Sequence, residues 1–172
     1  SETYGGYMGG QAELLRVPFG NFVPFKVPED ADVEDEKILF LSDILPTAFW
    51  GVDNAGVKPG DTVIILGCGP VGLLAQKFAW QKGAKRVIAV DHVDYRLEHA
   101  KRTNNVETYN FEKTHDIDQT LLEATKGGAD VVIDCVGLDA KRTAMEKVET
   151  ALMLQGGSLG AFNTAANVVR KF

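Results

Sequence analysis

The feature that most constrains this chain is a short turn, Gly67-Cys68-Gly69-Pro70-Val71-Gly72, set between two segments of opposite character. Before it runs Thr62 to Leu66, Thr-Val-Ile-Ile-Leu, whose β-branched, apolar content reads as a buried strand. After it, Val71 to Lys82 reads as a helix stopped by Gly83. A second strand, Arg86 to Val90, leads to Asp91, 19 residues beyond Gly72. Gly-x-Gly-x-x-Gly spacing alone is weak. A strand before it, a helix after it and an acid closing the next strand make it a dinucleotide-binding pattern. Each glycine then has a distinct physical role. Gly67 permits the tight turn, Gly69 lets backbone approach a pyrophosphate, and Gly72 lets helix pack closely on strand. The free N–H groups where Pro70 and Val71 open the helix, and the helix dipole, receive the phosphate charge.

In this pattern Asp91 accepts hydrogen bonds from the adenosine-ribose hydroxyls. Its charge repels a 2′-phosphate, which predicts NAD over NADP. Arg96 lies where its guanidinium plane can flank the adenine, and His92 where it can touch adenosine. Read bare, the first is a solvated helix residue and the second a surface histidine. S-adenosylmethionine sites also use a glycine turn and an acid after the second strand. They place an acid before a Gly-x-Gly-x-Gly turn, whereas here Leu66 precedes the turn and the third glycine falls one position later.

The pattern continues along the chain. Helices are expected at Asp94 to Thr103, Ile117 to Lys126, Ala140 to Leu154 and Ala161 to Arg170, and strands at Glu107 to Tyr109 and Ala129 to Ile133. Apolar strands alternating with amphipathic helices specify α/β architecture, a doubly wound parallel sheet of Rossmann type. The first sixty residues differ, carrying five of the six prolines. There Ala12 to Val17 reads as a short strand, Asp32 to Leu41 as a helix, and Thr47 to Asn54 as a second helix near Pro46.

Composition narrows the function. The 172 residues carry a net charge of −6, which argues against nucleic acid, whose phosphates need clustered Lys and Arg. No apolar run is long enough to span a bilayer. Two cysteines, Cys68 and Cys135, exclude a disulfide framework within the chain and point to a reducing, cytoplasmic compartment. Both read as small hydrophobes at strand ends.

Gly-Val-Lys-Pro-Gly-Asp-Thr-Val (56–63), the glycine turn, and Gly-Ala-Asp-Val-Val-Ile-Asp-Cys-Val-Gly (128–137) resemble the zinc-dependent alcohol dehydrogenases of the medium-chain dehydrogenase/reductase superfamily. Leu-Ser-Asp-Ile-Leu-Pro-Thr-Ala (41–48) and Tyr-Gly-Gly-Tyr-Met-Gly-Gly-Gln-Ala-Glu (4–13) are similar to the subgroup related to formaldehyde dehydrogenase. The resemblance implies hydride transfer between NAD and an alcohol or aldehyde at a catalytic zinc. It puts a zinc ligand at Asp43 and Thr47 against the nicotinamide, with Cys135, Val136 and Gly137 beside the nicotinamide ribose. It also implies a homo-oligomer as the intact form.

That family takes a cysteine and a histidine as further ligands from an upstream segment, and no Cys or His precedes Asp43 here. His92, His99 and His115 show no ligand spacing. A sheet ordered 3-2-1-4, with Val131-Val132-Ile133 as an apolar edge, is expected to need a cover. The chain therefore reads as a fragment. Residues 1–41 are a remnant of the catalytic (GroES-like) domain with a connecting segment, and 42–172 a C-terminally truncated NAD-binding domain. It is expected to be inactive alone and not to hold the parent's zinc. The alternative is a stand-alone dinucleotide-binding sensor or regulatory module without catalysis.

Overall fold

The computed structural model describes residues 10–137 and 159–171. The chain divides into two compact units between Asp35 and Glu36. The described part of the first unit is turns and irregular backbone. Ala12 to Val17 is not a strand: Leu14 and Leu15 stand exposed, and among the described residues no strand pairs with the segment. The helix expected over Asp32 to Leu41 shrinks to one turn, α1 (Asp35–Ile38), followed by a 3-10 turn over Leu39–Ser42. Neither buries any residue, so packing does nothing to extend them.

From there the expected alternation holds: α2 (Ile44–Asn54), β1 (Thr62–Leu66), α3 (Pro70–Gln81), β2 (Arg86–Asp91), α4 (Asp94–Asn104), β3 (Glu107–Asn110), α5 (Ile117–Ala124), β4 (Val131–Asp134) and α6 (Leu159–Val168). Helix α2 starts three residues earlier than expected because Pro46 falls in its first turn, where the missing N–H has no helical partner to lose. Asp116 caps α5, accepting the Gln119 N–H at 3.0 Å. Asn105 ends α4 in the left-handed conformation at φ 51°. The helix expected over Ala140 to Leu154 lies outside the described residues.

The sheet is parallel in the order β3-β2-β1-β4, as the crossover pattern requires. Strand β4 begins two residues later than expected. Ala129 instead forms an isolated parallel bridge with Val169, and Arg170 N–H donates to Ala129 O at 2.8 Å. Arg170 also pairs with Asp130 at 2.8 Å, and Asp130 accepts the Thr62 N–H at 2.8 Å. The end of α6 is thereby sewn to the start of β4 and β1.

Strand β1 is buried on both faces, which explains its uninterrupted apolar sequence. Val63 and Ile65 point into one cluster with Val87 and Ala89 of β2, covered by Ala48 and Val52 of α2, Ala75 and Ala79 of α3, and Leu97 and Ala100 of α4. Ile64 and Leu66 point into the other, with Ile88 and Val90, under Leu121 of α5 and Val168 of α6. The sheet is doubly wound, and its strands share one carboxyl edge, where α/β folds bind ligands.

At the opposite, amino end of the strands, Arg86 grips Glu107 of β3 through two hydrogen bonds of 2.7 Å and reaches the carbonyl of Ala124. The Arg86 hydrogen bonds hold the Glu107 carboxyl below its ordinary value. A depressed carboxyl contributes stability above its unfolded titration range and loses it as pH falls through the folded one. Glu107→Gln is therefore expected to cost up to about 1 kcal/mol at neutral pH, since the pair is half-exposed. The difference should close on acidification below the ordinary carboxylate range, as measured by urea unfolding across pH.

Candidate functional site

The site is built where β1 hands over to α3. Gly67 turns at φ 93°, and a Cβ there would meet the Cys135 carbonyl oxygen at 3.0 Å. Gly72 is tighter: its Cβ would come within 1.9 Å of the Gly67 carbonyl oxygen. Gly69 is different. Its backbone is extended, and an added Cβ meets nothing within 4 Å. Packing demands glycine at positions 67 and 72. At 69 the bare backbone faces open space instead, as it must where a ligand's phosphates approach.

That space is a cavity of about 550 Å³ at the carboxyl edge of the sheet. The glycine turn contributes Gly67, Gly69, Pro70 and Val71 to its wall, and the end of β2 contributes Asp91, His92 and Arg96. Cys135, Val136 and Gly137 enter from the loop after β4. The structure thus brings together every cofactor residue expected from sequence except Gly72, which acts behind the wall. Further wall residues come from outside the motif and are not foreshadowed by the sequence, among them Phe111 after β3, Ile117 of α5, and Ala161 and Thr164 of α6. The motif carries no signal for them, because only the return of the crossovers brings them to this edge.

Asp91 is 6% exposed and fully engaged. One oxygen accepts the Cys68 N–H at 2.7 Å, and the other accepts the N–H groups of His92 at 2.7 Å and Val93 at 2.9 Å. A charge this buried is tolerable only when hydrogen-bonded, and three backbone donors meet that need. The same bonds fix the carboxylate at the cavity rim. Oδ2, which accepts only the Cys68 N–H, keeps a lone pair for a ligand's hydroxyl.

Both thiols are pushed up to about 12. Burial is the main cause at each, helped by the Asp91 charge at Cys68 and the Asp134 charge at Cys135. Neither is a nucleophile at neutral pH.

Asp43 and Thr47 sit at the start of α2, both exposed. The Thr47 hydroxyl donates to Asp43 Oδ1 at 3.2 Å, and the Thr47 N–H donates to the Asp43 carbonyl at 2.9 Å. Neither lines the cavity. Among the described residues no group of three His, Cys, Asp or Glu could hold a metal ion. A catalytic zinc takes three protein ligands, and Asp43 offers one carboxylate. The described residues alone do not fit the metal.

Comparison with known proteins bears on this geometry. Residues 70–156 match the family described as zinc-binding dehydrogenase. The chain is 61% identical over 167 residues to an uncharacterized zinc-type alcohol dehydrogenase-like protein, AdhB, of Bacillus subtilis (strain 168), covering 97% of this chain and 44% of that protein. It is 41% identical over 172 residues to the glutathione-independent formaldehyde dehydrogenase of the same strain, covering 91% of this chain and 41% of that protein. An alcohol dehydrogenase from Thermus sp. ATN1 matches with a TM-score of 0.71 at 32% identity, over 94% of this chain and 40% of that one. The chain thus spans about two fifths of the length of these relatives.

The glycines separate in a stability measurement. Gly72→Ala is expected to cost about 2–4 kcal/mol, because backbone must move to admit the methyl group. Gly69→Ala should stay within about 0.5 kcal/mol of the parent chain in the same thermal unfolding experiment. Cys68 should resist a thiol reagent at neutral pH in the folded chain and react in denaturant; rapid labelling of it in the native state would contradict its burial.

Proposed function

From the premise that this chain belongs to the zinc-binding dehydrogenase family, we propose that it forms the NAD-binding part of an oxidoreductase that moves hydride between a small alcohol or aldehyde and NAD. The observation that carries the reading is the open face of Gly69 beside a carboxylate locked at the cavity rim. Residues 42–172 are the nucleotide-binding domain in this reading, and 1–41 belong to the catalytic domain and its connection.

The roles divide along the cavity. The N–H groups at Gly69 and the opening of α3 hold the pyrophosphate, with Gly67 and Gly72 keeping the turn tight and Pro70 and Val71 forming the first helical turn. Asp91 accepts the adenosine-ribose hydroxyls, and His92 and Arg96 flank the adenosine. Cys135, Val136 and Gly137 border the nicotinamide ribose. Thr47 orients the nicotinamide and, through its hydroxyl, the Asp43 carboxylate. NAD, when bound, supplies the hydride acceptor. Asp43 is one zinc ligand, and the others come from outside the described residues. No described helix is long and apolar enough to cross a membrane.

Calorimetric titration of the chain at about pH 8 tests the reading. NADH should bind more tightly than NADPH, and Asp91→Asn should weaken NADH by about tenfold through loss of charged hydrogen bonds. Absence of NADH binding, or tighter NADPH, overturns it. Given NAD, zinc and an alcohol, the chain alone should produce no NADH. Binding with no turnover in the longer parent either would favour a regulatory module.

A further inference from the structure

His92 is the one histidine in the cavity wall, and it stands directly beside the group that selects the cofactor. Its Nδ1 lies 3.5 Å from Asp91 Oδ1, the oxygen that also accepts the His92 and Val93 N–H groups. The ring is partly buried and tilts against Phe111, with centroids 5.3 Å apart. Its backbone is held on both sides: the N–H by Asp91, and the carbonyl by the Asn110 side chain at 3.0 Å. The backbone that carries the ring is therefore fixed.

Each element packed around it contributes known charges. Strand β2 supplies Asp91. Helix α4 supplies Arg96, which lines the same cavity, and Asp94, which is tied to Lys113 at 2.7 Å and to Asn110 at 2.8 Å. The Asp94–Lys113 pair cancels itself. Helices α5 and α6 bring Ile117, Ala161 and Thr164 to the wall, none of which titrates near neutrality. Among the described residues lining the cavity, the charges beside His92 are one anion, Asp91, and one cation, Arg96.

We propose that His92 makes the discrimination between NAD and NADP depend on pH. Resting on the dinucleotide reading above, the argument is electrostatic. With the imidazole neutral, the Asp91 carboxylate repels a 2′-phosphate. With the imidazole protonated, a positive charge lies 3.5 Å from that carboxylate and cancels much of its field. His92 and Arg96 then form a cationic pair that accepts the extra phosphate. Histidine is the side chain whose charge changes in the physiological pH range. Acidification should open the site to NADP, while NAD, with two hydroxyls in place of the phosphate, gains far less.

Calorimetric titration of NADH and NADPH across about pH 8 to about pH 5.5 tests this. The ratio of the NADPH to the NADH dissociation constant should fall by about tenfold, the effect of one unit charge a few ångströms from a phosphate in a partly solvated site. The 2′-phosphate itself gains a proton near pH 6, which weakens its repulsion by Asp91 and lowers the ratio without His92. His92→Gln records that effect alone, and in it the fall should be clearly smaller than in the parent chain. His92→Lys, charged throughout, should hold the low ratio at every pH. A ratio that follows the same pH course in the parent chain and in His92→Gln, or one that stays high in His92→Lys, overturns the proposal. NADH failing to bind at any pH would instead remove the dinucleotide reading on which it rests.

Discussion

The contact between the Gly72 backbone and the Gly67 carbonyl is the constraint from which the rest of the architecture follows. With only 1.9 Å between that oxygen and the place of a Cβ, any side chain at position 72 would lift α3 away from the end of β1. Because the helix can start there, its first turn stands over the carboxyl edge of the sheet. Gly67 can then lie against the Cys135 carbonyl of the neighbouring β4 connection. The Cys68 N–H comes within 2.7 Å of the Asp91 carboxylate at the end of β2. One backbone approach thus ties three strand ends together and leaves the cavity between them.

Behind the turn, the packing that holds α3 is not wholly apolar. Gln76 is fully buried between α3 and α4. Its amide nitrogen reaches the Cys68 sulfur at 3.7 Å, and its oxygen accepts Asn104 Nδ2 at 2.8 Å. Asn104 also donates to the Leu73 carbonyl, and its own main-chain carbonyl accepts the Trp80 indole N–H. Such a network holds α3 to α4 in one register, where an apolar contact would tolerate sliding. It has a cost, since Asn104 Oδ1 is buried without a partner, a defect worth about 1–3 kcal/mol.

How much of this could be read from sequence divides at the start of the parallel sheet. Thr62 to Leu66 and Arg86 to Asp91 are legible because strands buried on both faces need unbroken β-branched runs, and a glycine turn between them leaves few alternatives. The first unit is not. Ala12 to Val17 has strand composition, but composition acts only when a neighbouring strand accepts the ladder, and Leu14 at 91% exposure has none among the described residues. At the site, the turn and Asp91 are visible as a motif. Phe111, Ile117 and Thr164 are not, because they reach the cavity through the tertiary path of β3, α5 and α6. Asp43 and Thr47 are marked by family likeness alone, and their local geometry is that of an ordinary helix start.

The engagement of Asp91 also explains what Cys68 is for. In a chain of net charge −6, a nearly buried carboxylate must draw its compensation from fixed local donors. Here all three are main-chain N–H groups, which no protonation can switch off and no side-chain substitution short of proline can remove. Position 68 therefore acts through its amide. The thiol, raised to about 12 by burial and by the adjacent carboxylate, accepts the Gln76 side-chain amide at 3.7 Å. A reactive thiol in the same place would need the positive surroundings that Asp91 denies it. The residue between the first two glycines thus meets the rim through its amide, and its sulfur lies against Gln76.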